Sequence, residues 1–503
     1  MAKRKAQQPS TSNGASSAKP APSKKARFSN PTPPTTTKPK TKAAPAPAPK
    51  EAPVDAPKRF VVSAGSYERL LYGLECTFEP SSSSTSEPYS LNVKPIFSFP
   101  AHLSSVRTVA ASVLASPGTG SERKVGGKYL VSGGTDEIIK VWDLRRRKEV
   151  GSLEGDTTGT LTCMRFVPQR NMLLAASSDS SISLYRVRDW VLLRGLKGHK
   201  GRVNAVDAHP DGRVALSVGQ DKMLRMWDLV AGKSVATMKL GAEGDAVRWN
   251  TNGTKFAVIC NNNLTVYGLD MSIHHSLSAP SRFHDVRFCY FPLDTADPTQ
   301  REYLFVACED GKVRVFDVSE PTPITVDEST DLSELDLPKM DPVALLTGHA
   351  NRVKAMDLLE VALPTSSSSD SPSTVVLTTI SSDGKINLYD LARLPRPASA
   401  LSKKKGKAAS KAPVGVVEAK EIEPSATFDT DKTRLTCVCA IGMVERKGAG
   451  GAAGAEDEES DSEEEEDSEE EEEEEQDEED EEELVSGEEE EFEGIEEEEE
   501  EEE

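Results

Sequence analysis

The residues best suited to chemistry in this sequence are a histidine, a serine and an aspartate that occur together. His199, Ser217 and Asp221 are the residue types of a hydrolase triad, in which the aspartate orients the histidine and the histidine takes a proton from the serine. Trp227 lies six residues after Asp221. Comparable sets return elsewhere in the chain, as His102, Ser132, Asp136 and Trp142 and as His349, Thr379, Asp383 and Tyr389. Because a catalytic set seldom recurs once per repeat, we interpret all three sets as structural.

The elements that position these residues are indicated by a repeated spacing. An Asp or Asn is followed six residues later by an aromatic residue six times, at Asp136/Trp142, Asp179/Tyr185, Asp221/Trp227, Asn261/Tyr267, Asp310/Phe316 and Asp383/Tyr389. The first three pairs are roughly 40 residues apart, and a period near 40–45 residues with Gly-His and Trp-Asp pairs is typical of a WD40 β-propeller. The sequence therefore predicts four-stranded blades arranged around a central channel.

In such a blade the four residues form one hydrogen-bonded tetrad. The aspartate accepts from the histidine, the histidine meets the hydroxyl, and the hydroxyl meets the indole. Three other repeats depart from this pattern, because Ala175 and Val306 replace the hydroxyl in the second and fifth repeats and Asn261 replaces the aspartate in the fourth.

Six repeats leave two strand-like segments without a blade. Residues 60–99 contain three strands with no inner strand before them, and residues 428–444 contain the inner strand "RLTCVCAIGMV" with nothing after it. Together they predict a seventh, closing blade, which removes the free sheet edges of an open ring. We therefore expect an all-β, seven-bladed WD40 propeller over residues 60–445, interrupted by long loops at 319–342 and 393–425.

The two ends of the chain have opposite charge. Residues 1–59 are rich in Pro, Ala and Lys and contain 13 Lys and Arg against two acidic residues, which predicts a disordered basic arm. Residues 446–503 begin with a Gly-rich hinge, and from residue 456 onward they contain 37 Asp and Glu and no Lys or Arg. Self-repulsion predicts a disordered acidic tail. The net charge of −24 therefore averages a nearly neutral propeller and two opposed tails.

Several function classes find no support in the sequence. No run of 18 apolar residues predicts a membrane span, and the N-terminal region lacks the apolar stretch of a secretory signal. The seven cysteines fit reduced core thiols of a nuclear or cytosolic protein. The segment Leu229–Ser234 ends like a phosphate-binding loop but lacks its first glycine and the following helix. We expect no catalytic residue, no cofactor, no metal site and no enzymatic activity.

The tails carry candidate signals. Two basic clusters in the arm and one in the second long loop are candidate import signals, at Lys3, Arg4, Lys5, Lys24, Lys25, Arg27, Lys403, Lys404 and Lys405. The basic arm is also suited to direct, sequence-independent contact with nucleic-acid phosphates. Four serines with an acidic residue three positions later are candidate phosphorylation sites, at Ser460, Ser462, Ser468 and Ser486.

One face of the propeller is the candidate partner-binding surface. The residue before each turn aspartate should lie on this rim, as should the arginines that follow two of the Gly-His pairs. The candidate rim residues are Thr135, Arg202, Gln220, Glu309, Arg352 and Ser382.

Three stretches carry a family resemblance: "SAGSYERLLYG" (Ser63–Gly73), "LSVGQDKMLRMWDLVAGKS" and "GHANRVKAMD". They resemble the WD40 family of p21-activated-kinase-interacting protein and its fungal ribosome-assembly relatives. This resemblance implies a non-catalytic nucleolar scaffold for large (60S) ribosomal subunit biogenesis that docks assembly factors or basic ribosomal proteins on pre-60S particles. We expect a monomer within a large complex, without a membrane partner. A signalling scaffold that inhibits p21-activated kinase and a histone-binding chromatin propeller are the alternatives.

Overall fold

The computed structural model describes eight ranges of the chain: 56–81, 88–113, 124–154, 158–293, 300–320, 340–364, 372–395 and 419–443. The described residues up to Gly442 belong to one compact unit, and the second unit, Met443–Glu503, lies outside the described residues except for Met443. The candidate import residues, the candidate phosphorylation sites and most of both long loops also lie outside them.

The predicted fold class is confirmed, because the described residues form a β-propeller of seven sheets. The first three strands are β1 (Arg59–Ser66), β2 (Leu70–Pro80) and β3 (Tyr89–Pro100). Blade one is β4 (Val106–Val113), β5 (Gly126–Gly134), β6 (Ile139–Asp143) and β7 (Lys148–Leu153). Blade two is β8 (Leu161–Val167), β9 (Met172–Ser177), β10 (Ser181–Arg186) and β11 (Leu192–Lys197).

The next two blades are equally regular. Blade three is β12 (Val203–Ala208), β13 (Val214–Gly219), β14 (Met223–Asp228) and β15 (Lys233–Lys239). Blade four is β16 (Ala246–Trp249), β17 (Lys255–Cys260), β18 (Asn263–Gly268) and β19 (Ile273–Ser278). In each blade the four strands pair antiparallel in chain order.

The last strands of the chain are distributed over three sheets. Blade five contains β20 (Phe283–Phe291), β21 (Arg301–Cys308), β22 (Val313–Asp317) and β23 (Ala344–Leu346). Blade six contains β24 (Val353–Ala362), β25 (Ser373–Ser381) and β26 (Lys385–Asp390), followed by a 3-10 helix at Leu391–Arg393. The remaining strands are β27 (Lys420–Ile422), β28 (Ala426–Asp429) and β29 (Leu435–Met443).

The closing blade has the strand order β29-β1-β2-β3, so its inner strand comes from the end of the propeller sequence. The start assigned to this inner segment at residue 428 is wrong, because β28 pairs with β26 and completes blade six. The second long loop, assigned to 393–425, is also not a loop throughout. Its described end contains β27, which pairs parallel with β23 and adds a fifth strand to blade five. Both strands are too short to be recognised from alternating hydrophobicity.

The inner strands are joined to one another by side chains that face the channel. Asp207 accepts a hydrogen bond from the main-chain amide of Trp249 in the next blade at 2.8 Å, and Asp357 accepts from Ala440 at 2.8 Å. Opposite charges alternate around the channel, with Arg165–Asp207 at 3.6 Å, Arg248–Asp285 at 3.2 Å and Arg287–Asp357 at 3.7 Å. These contacts satisfy backbone groups that the sheets alone leave unpaired.

The apolar core lies between neighbouring blades. Val131 and Val141 of blade one, for example, pack in one buried cluster with Leu161 and Tyr185 of blade two. Each blade presents one apolar face to each neighbour, so the ring has no single central core and its stability depends on every interface being covered.

Candidate functional site: the histidine face

Two tetrads have the full set of hydrogen bonds. In blade three, His199 Nδ1 lies 2.8 Å from Asp221 Oδ2, and His199 Nε2 lies 2.7 Å from Ser217 Oγ, which also accepts from the Trp227 indole N–H at 2.7 Å. In blade one the corresponding distances are 2.9, 2.7 and 2.8 Å, between His102 and Asp136, His102 and Ser132, and Trp142 and Ser132. The tetrads connect the segment before the inner strand to the second and third strands of the blade.

Burial decides between the catalytic and structural interpretations of these tetrads. The side chains of His102 and His199 are 0% exposed, so a substrate cannot reach the histidine and serine without unfolding of the blade. Burial, only partly opposed by the neighbouring aspartates, lowers the pKa of both histidines. The imidazoles are therefore neutral at pH 7, and each serves as a relay between a carboxylate and a hydroxyl. These residues connect and position the strands of their blades.

In blade six the aromatic residue of the tetrad makes a different hydrogen bond. His349 Nε2 lies 2.7 Å from Thr379 Oγ1, but His349 Nδ1 is 3.5 Å from the carboxylate of Asp383. The Tyr389 hydroxyl donates to the carbonyl oxygen of Thr347 at 2.7 Å. A phenol has one proton to donate, so the equivalence of Tyr389 to the two tryptophans is wrong in this respect: its proton goes to the backbone instead of the threonine.

The incomplete repeats use other local contacts. Asp179 of blade two accepts from the amide of Ser181 at 2.8 Å and from the Thr158 hydroxyl at 3.1 Å. Asn261 of blade four has a φ of +61°, a left-handed conformation that Asn tolerates better than most residues. Asp310 of blade five pairs with Arg314 at 2.6 Å. Each contact shapes the same turn without a buried histidine.

The face that carries the two histidine–aspartate pairs is called the histidine face below. On this face, the main-chain amide of the residue before the turn aspartate donates a hydrogen bond to the main-chain carbonyl of the residue before the inner strand. This bond joins four candidate rim residues to their partners: Thr135 to Ser105, Gln220 to Arg202, Glu309 to Arg282 and Ser382 to Arg352. The structure therefore places all six candidate rim residues on the histidine face, with Arg352 and Ser382 less exposed than the other four.

The same hydrogen bond identifies three positions that sequence reasoning missed. In the closing blade the Tyr67 amide donates to the carbonyl of Arg434 at 2.8 Å, so these residues correspond to Gln220 and Arg202. Arg282 is the equivalent residue of blade five. A signal was available, since an arginine directly precedes the inner strand in four blades, at Arg202, Arg282, Arg352 and Arg434. The split of the closing blade concealed Arg434, and the absence of a Gly-His pair concealed Arg282.

The rim arginines differ in their charge partners. Arg202 Nη2 lies 3.0 Å from Glu243, and Arg282 Nη2 lies 2.5 Å from Asp245, so both are neutralised by blade four. Arg352 forms no ion pair within the described ranges. Charge at this face is therefore unevenly distributed although the arginines occupy matching positions.

The opposite end of the channel opens into a cavity between the inner strands of several blades. Arg165, Arg248 and Asp357 line it together with Cys439, whose pKa burial raises to about 12. A thiol with that pKa is protonated and a poor nucleophile. No group of His, Cys, Asp and Glu suited to a metal ion occurs within the described ranges. In the same part of the chain, no helix is long and apolar enough to cross a bilayer.

Comparison with known proteins agrees with this geometry. The repeat described as "WD domain, G-beta repeat" matches residues 93–143, 147–186 and 190–228. The first match begins in β3 and ends in β6, so the sequence repeat is offset by one strand from the blade. The p21-activated protein kinase-interacting protein 1 of Homo sapiens is 30% identical over 329 residues, which cover 65% of this chain and 69% of that protein. The chain belongs to this WD40-repeat family.

Two further relatives extend the comparison. Protein MAK11 of Saccharomyces cerevisiae is 29% identical over 356 residues, covering 66% of this chain and 78% of that protein. A p21-activated protein kinase-interacting protein 1-like protein of Gallus gallus is 33% identical over 226 residues, and this chain spans only 54% of its length. As a member of this family, the chain is a WD40 propeller of the scaffold type.

Proposed function

We propose that this chain is a non-catalytic scaffold for biogenesis of the large (60S) ribosomal subunit, which docks assembly factors on pre-60S particles in the nucleolus. The observation that carries this proposal is the arrangement of the histidine face: its histidine–serine pairs are buried and inaccessible, whereas Arg202, Gln220 and Glu309 around them are exposed. Exposed polar side chains around a buried framework suit this face to binding a partner. The family resemblance supplies the process.

The tails support a nuclear location by their chemistry. The basic clusters around Lys3 and Lys24 suit import and contact with pre-rRNA, and the acidic tail suits basic ribosomal proteins. Phosphorylation at Ser460 and the three other tail serines would add about −1.5 to −2 charge units each and strengthen that preference.

The test is sedimentation of a cell extract that contains the tagged full-length chain. The proposal expects co-migration with large-subunit precursors, together with precursor rRNA and assembly factors in the affinity-purified fractions. Migration with free protein alone contradicts it. Recovery of histones instead of rRNA would support the chromatin alternative.

A second candidate function is regulation of p21-activated kinase. It is favoured by the names of the human and chicken relatives, which describe kinase-interacting proteins. The discriminating experiment is a binding assay between the purified chain and the kinase, combined with localisation. Direct binding with steady residence outside the nucleus favours the kinase function over the ribosomal one.

A further inference from the structure

Four cations converge where the channel opens on the histidine face. Arg352 and Arg434 directly precede the inner strands of blade six and the closing blade. Lys354 and Arg107 are the second residues of inner strands β24 and β4. Blade six, the closing blade and blade one are neighbours in the ring, so these residues occupy one continuous sector. We call Arg107, Arg352, Lys354 and Arg434 the mouth cluster.

The side chains of the mouth cluster are not paired with carboxylates. Within the described ranges, none of the four forms an ion pair, in contrast to Arg202 with Glu243 and Arg282 with Asp245. One carboxylate lies nearby, because Glu68 accepts a hydrogen bond from the main-chain amide of Arg434 at 3.1 Å. The propeller thus pairs two rim arginines and leaves a net positive charge beside them. Concentrated charge of one sign at a concave opening attracts a ligand of the opposite sign.

Burial and repulsion between positive charges lower the pKa values of two basic groups at the mouth. Burial and the positive charges of Arg352, Arg107, Arg282 and Arg434 lower the pKa of Lys354 to about 8. Burial and the charges of Lys354, Arg282 and Arg352 also lower the pKa of the adjacent His284 to about 4, and its Nε2 atom is buried without a partner among the described residues. An anion at the mouth would relieve this repulsion.

Apolar side chains flank the mouth cluster on the same face. Leu103 is 81% exposed and Tyr67 is 54% exposed. The Arg434 guanidinium lies 5.4 Å from the centroid of the Tyr67 ring. Arg69 donates to the carbonyl of Leu103 at 3.5 Å, which links the turn of the closing blade to blade one. A cationic opening beside an exposed leucine and tyrosine resembles a binding hot spot for a peptide.

We propose that the mouth cluster binds an Asp/Glu-rich peptide segment of a partner protein, with an apolar residue of that segment placed on Leu103 and Tyr67. This inference rests on the proposed docking function and specifies the chemistry of the docked partner. An arginine guanidinium can form two parallel hydrogen bonds with one carboxylate. The three arginines of the cluster are therefore suited to binding the carboxylates of an acidic peptide. An RNA backbone is a poorer match, because its evenly spaced phosphates require an extended basic stripe, whereas these cations converge on one opening and adjoin an aliphatic side chain.

Basic and acidic partners should bind different parts of the chain. Basic ribosomal proteins are repelled by the mouth cluster and are suited to the acidic tail only. Acidic segments are suited to the mouth cluster. We therefore expect partners of opposite charge to use different parts of the chain.

The test is fluorescence anisotropy with the full-length chain and three labelled probes: a 12-residue Asp/Glu-rich peptide with one leucine, its Asn/Gln counterpart, and a 12-nucleotide oligouridine. The double variant Arg352→Glu/Lys354→Glu should weaken binding of the acidic peptide about tenfold or more. The matched control Arg186→Glu, at an exposed arginine already paired with Asp189, should change it less than about twofold. A variant with all 11 Lys and Arg of residues 1–50 replaced by Ala should do the same and thereby exclude the basic arm as the site.

Three outcomes overturn the inference: equal loss in the Arg186 and mouth variants, binding of the Asn/Gln peptide as tight as that of the acidic peptide, or oligouridine binding that is tighter and lost in the mouth variant. The last result assigns the mouth to RNA. Thermal unfolding of each variant shows whether the fold persists, and Leu103→Ser provides a second variant at an exposed site. Sedimentation of the mouth variant with large-subunit precursors is read separately, so this inference can fail while the proposed function holds.

Discussion

The Tyr72 hydroxyl donates a hydrogen bond to the Thr433 hydroxyl at 3.0 Å and joins residues 361 positions apart in the sequence. Thr436 makes a second such link, because its hydroxyl donates to the carbonyl of Val106 at 2.6 Å. The closing blade is therefore attached to blade one through its inner strand, which belongs to the other end of the propeller sequence.

A fragment that lacks this inner strand should not form a stable ring. We expect residues 56–443 to unfold cooperatively in urea and residues 56–434 to show no cooperative transition, because β1 and blade six lose their cover at Leu435, Val438 and Ala440. Tryptophan fluorescence during urea titration measures both. A cooperative transition of similar midpoint in the shorter fragment would contradict the assigned closure.

The two kinds of tetrad should respond differently to loss of their aromatic link. Trp227→Phe leaves the buried Ser217 without its indole donor and creates a cavity, so it should cost about 3 kcal/mol of unfolding free energy. Tyr389→Phe removes only the bond to the Thr347 carbonyl and should cost about 1 kcal/mol. Urea unfolding measures both values. Equal costs would show that the tyrosine acts as the indoles do.

Asp357 should control the acid stability of the ring. Burial acts to raise its pKa, but Lys124 and Arg287 lower it to about 2, below the value of about 3.9 in an unfolded chain. The stabilisation is therefore complete above about pH 4 and is lost as the pH falls toward 2. Asp357→Asn should cost about 3 kcal/mol at pH 7 and flatten the pH dependence of stability between 4 and 2.

The control for this prediction is Asp431→Asn, because the Asp431 side chain is exposed and its carboxylate forms no hydrogen bond or ion pair within the described ranges. It should change the unfolding free energy by no more than about 0.5 kcal/mol. If the unfolding free energy of the Asp357→Asn variant fell between pH 4 and pH 2 as steeply as that of the unsubstituted chain, Asp357 would not be the acid-sensitive group.

Lys354 should lower the unfolding free energy of the chain at neutral pH, because its charge is repelled by the neighbouring arginines. Its lowered pKa means that the folded chain releases a proton before the unfolded chain does, so this group's contribution to stability rises with pH from about 8 to about 10. Lys354→Met should raise the unfolding free energy at pH 7 by about 1 kcal/mol, and the gain should disappear near pH 10. The exposed Lys233→Met is the control and should change little at either pH. A loss of stability at pH 7 would contradict repulsion within the cluster.

The sequence was sufficient to predict the fold, and the reasons are physical. A tetrad requires fixed residue types at fixed positions, so the spacing of Asp221 and Trp227 specifies both a turn and a strand. The closing blade was predictable because "RLTCVCAIGMV" alternates like an inner strand and has no other sheet to join. Once seven blades are required, two unassigned segments have one arrangement that leaves no free edge.

Pairing between distant segments could not be predicted in the same way. β27 has only three residues, and its partner strand β23 is equally short. Neither is long enough to show the alternation of apolar and polar residues by which a strand is recognised. The charge state of the rim was also hidden, because Arg202 and Arg352 are alike in sequence context and differ only in whether blade four supplies Glu243 nearby. Such differences depend on three-dimensional neighbours and not on spacing.

The strand order of the closing blade has a consequence during translation. β1, β2 and β3 leave the ribosome first, yet the edge of β1 has no partner until β29 has emerged more than 350 residues later. Throughout synthesis the nascent chain presents an unpaired strand edge and the apolar faces beside it, which are the features that promote association between chains and recruit chaperones. Production of this protein therefore depends on protection of its N-terminal strands until the last one arrives.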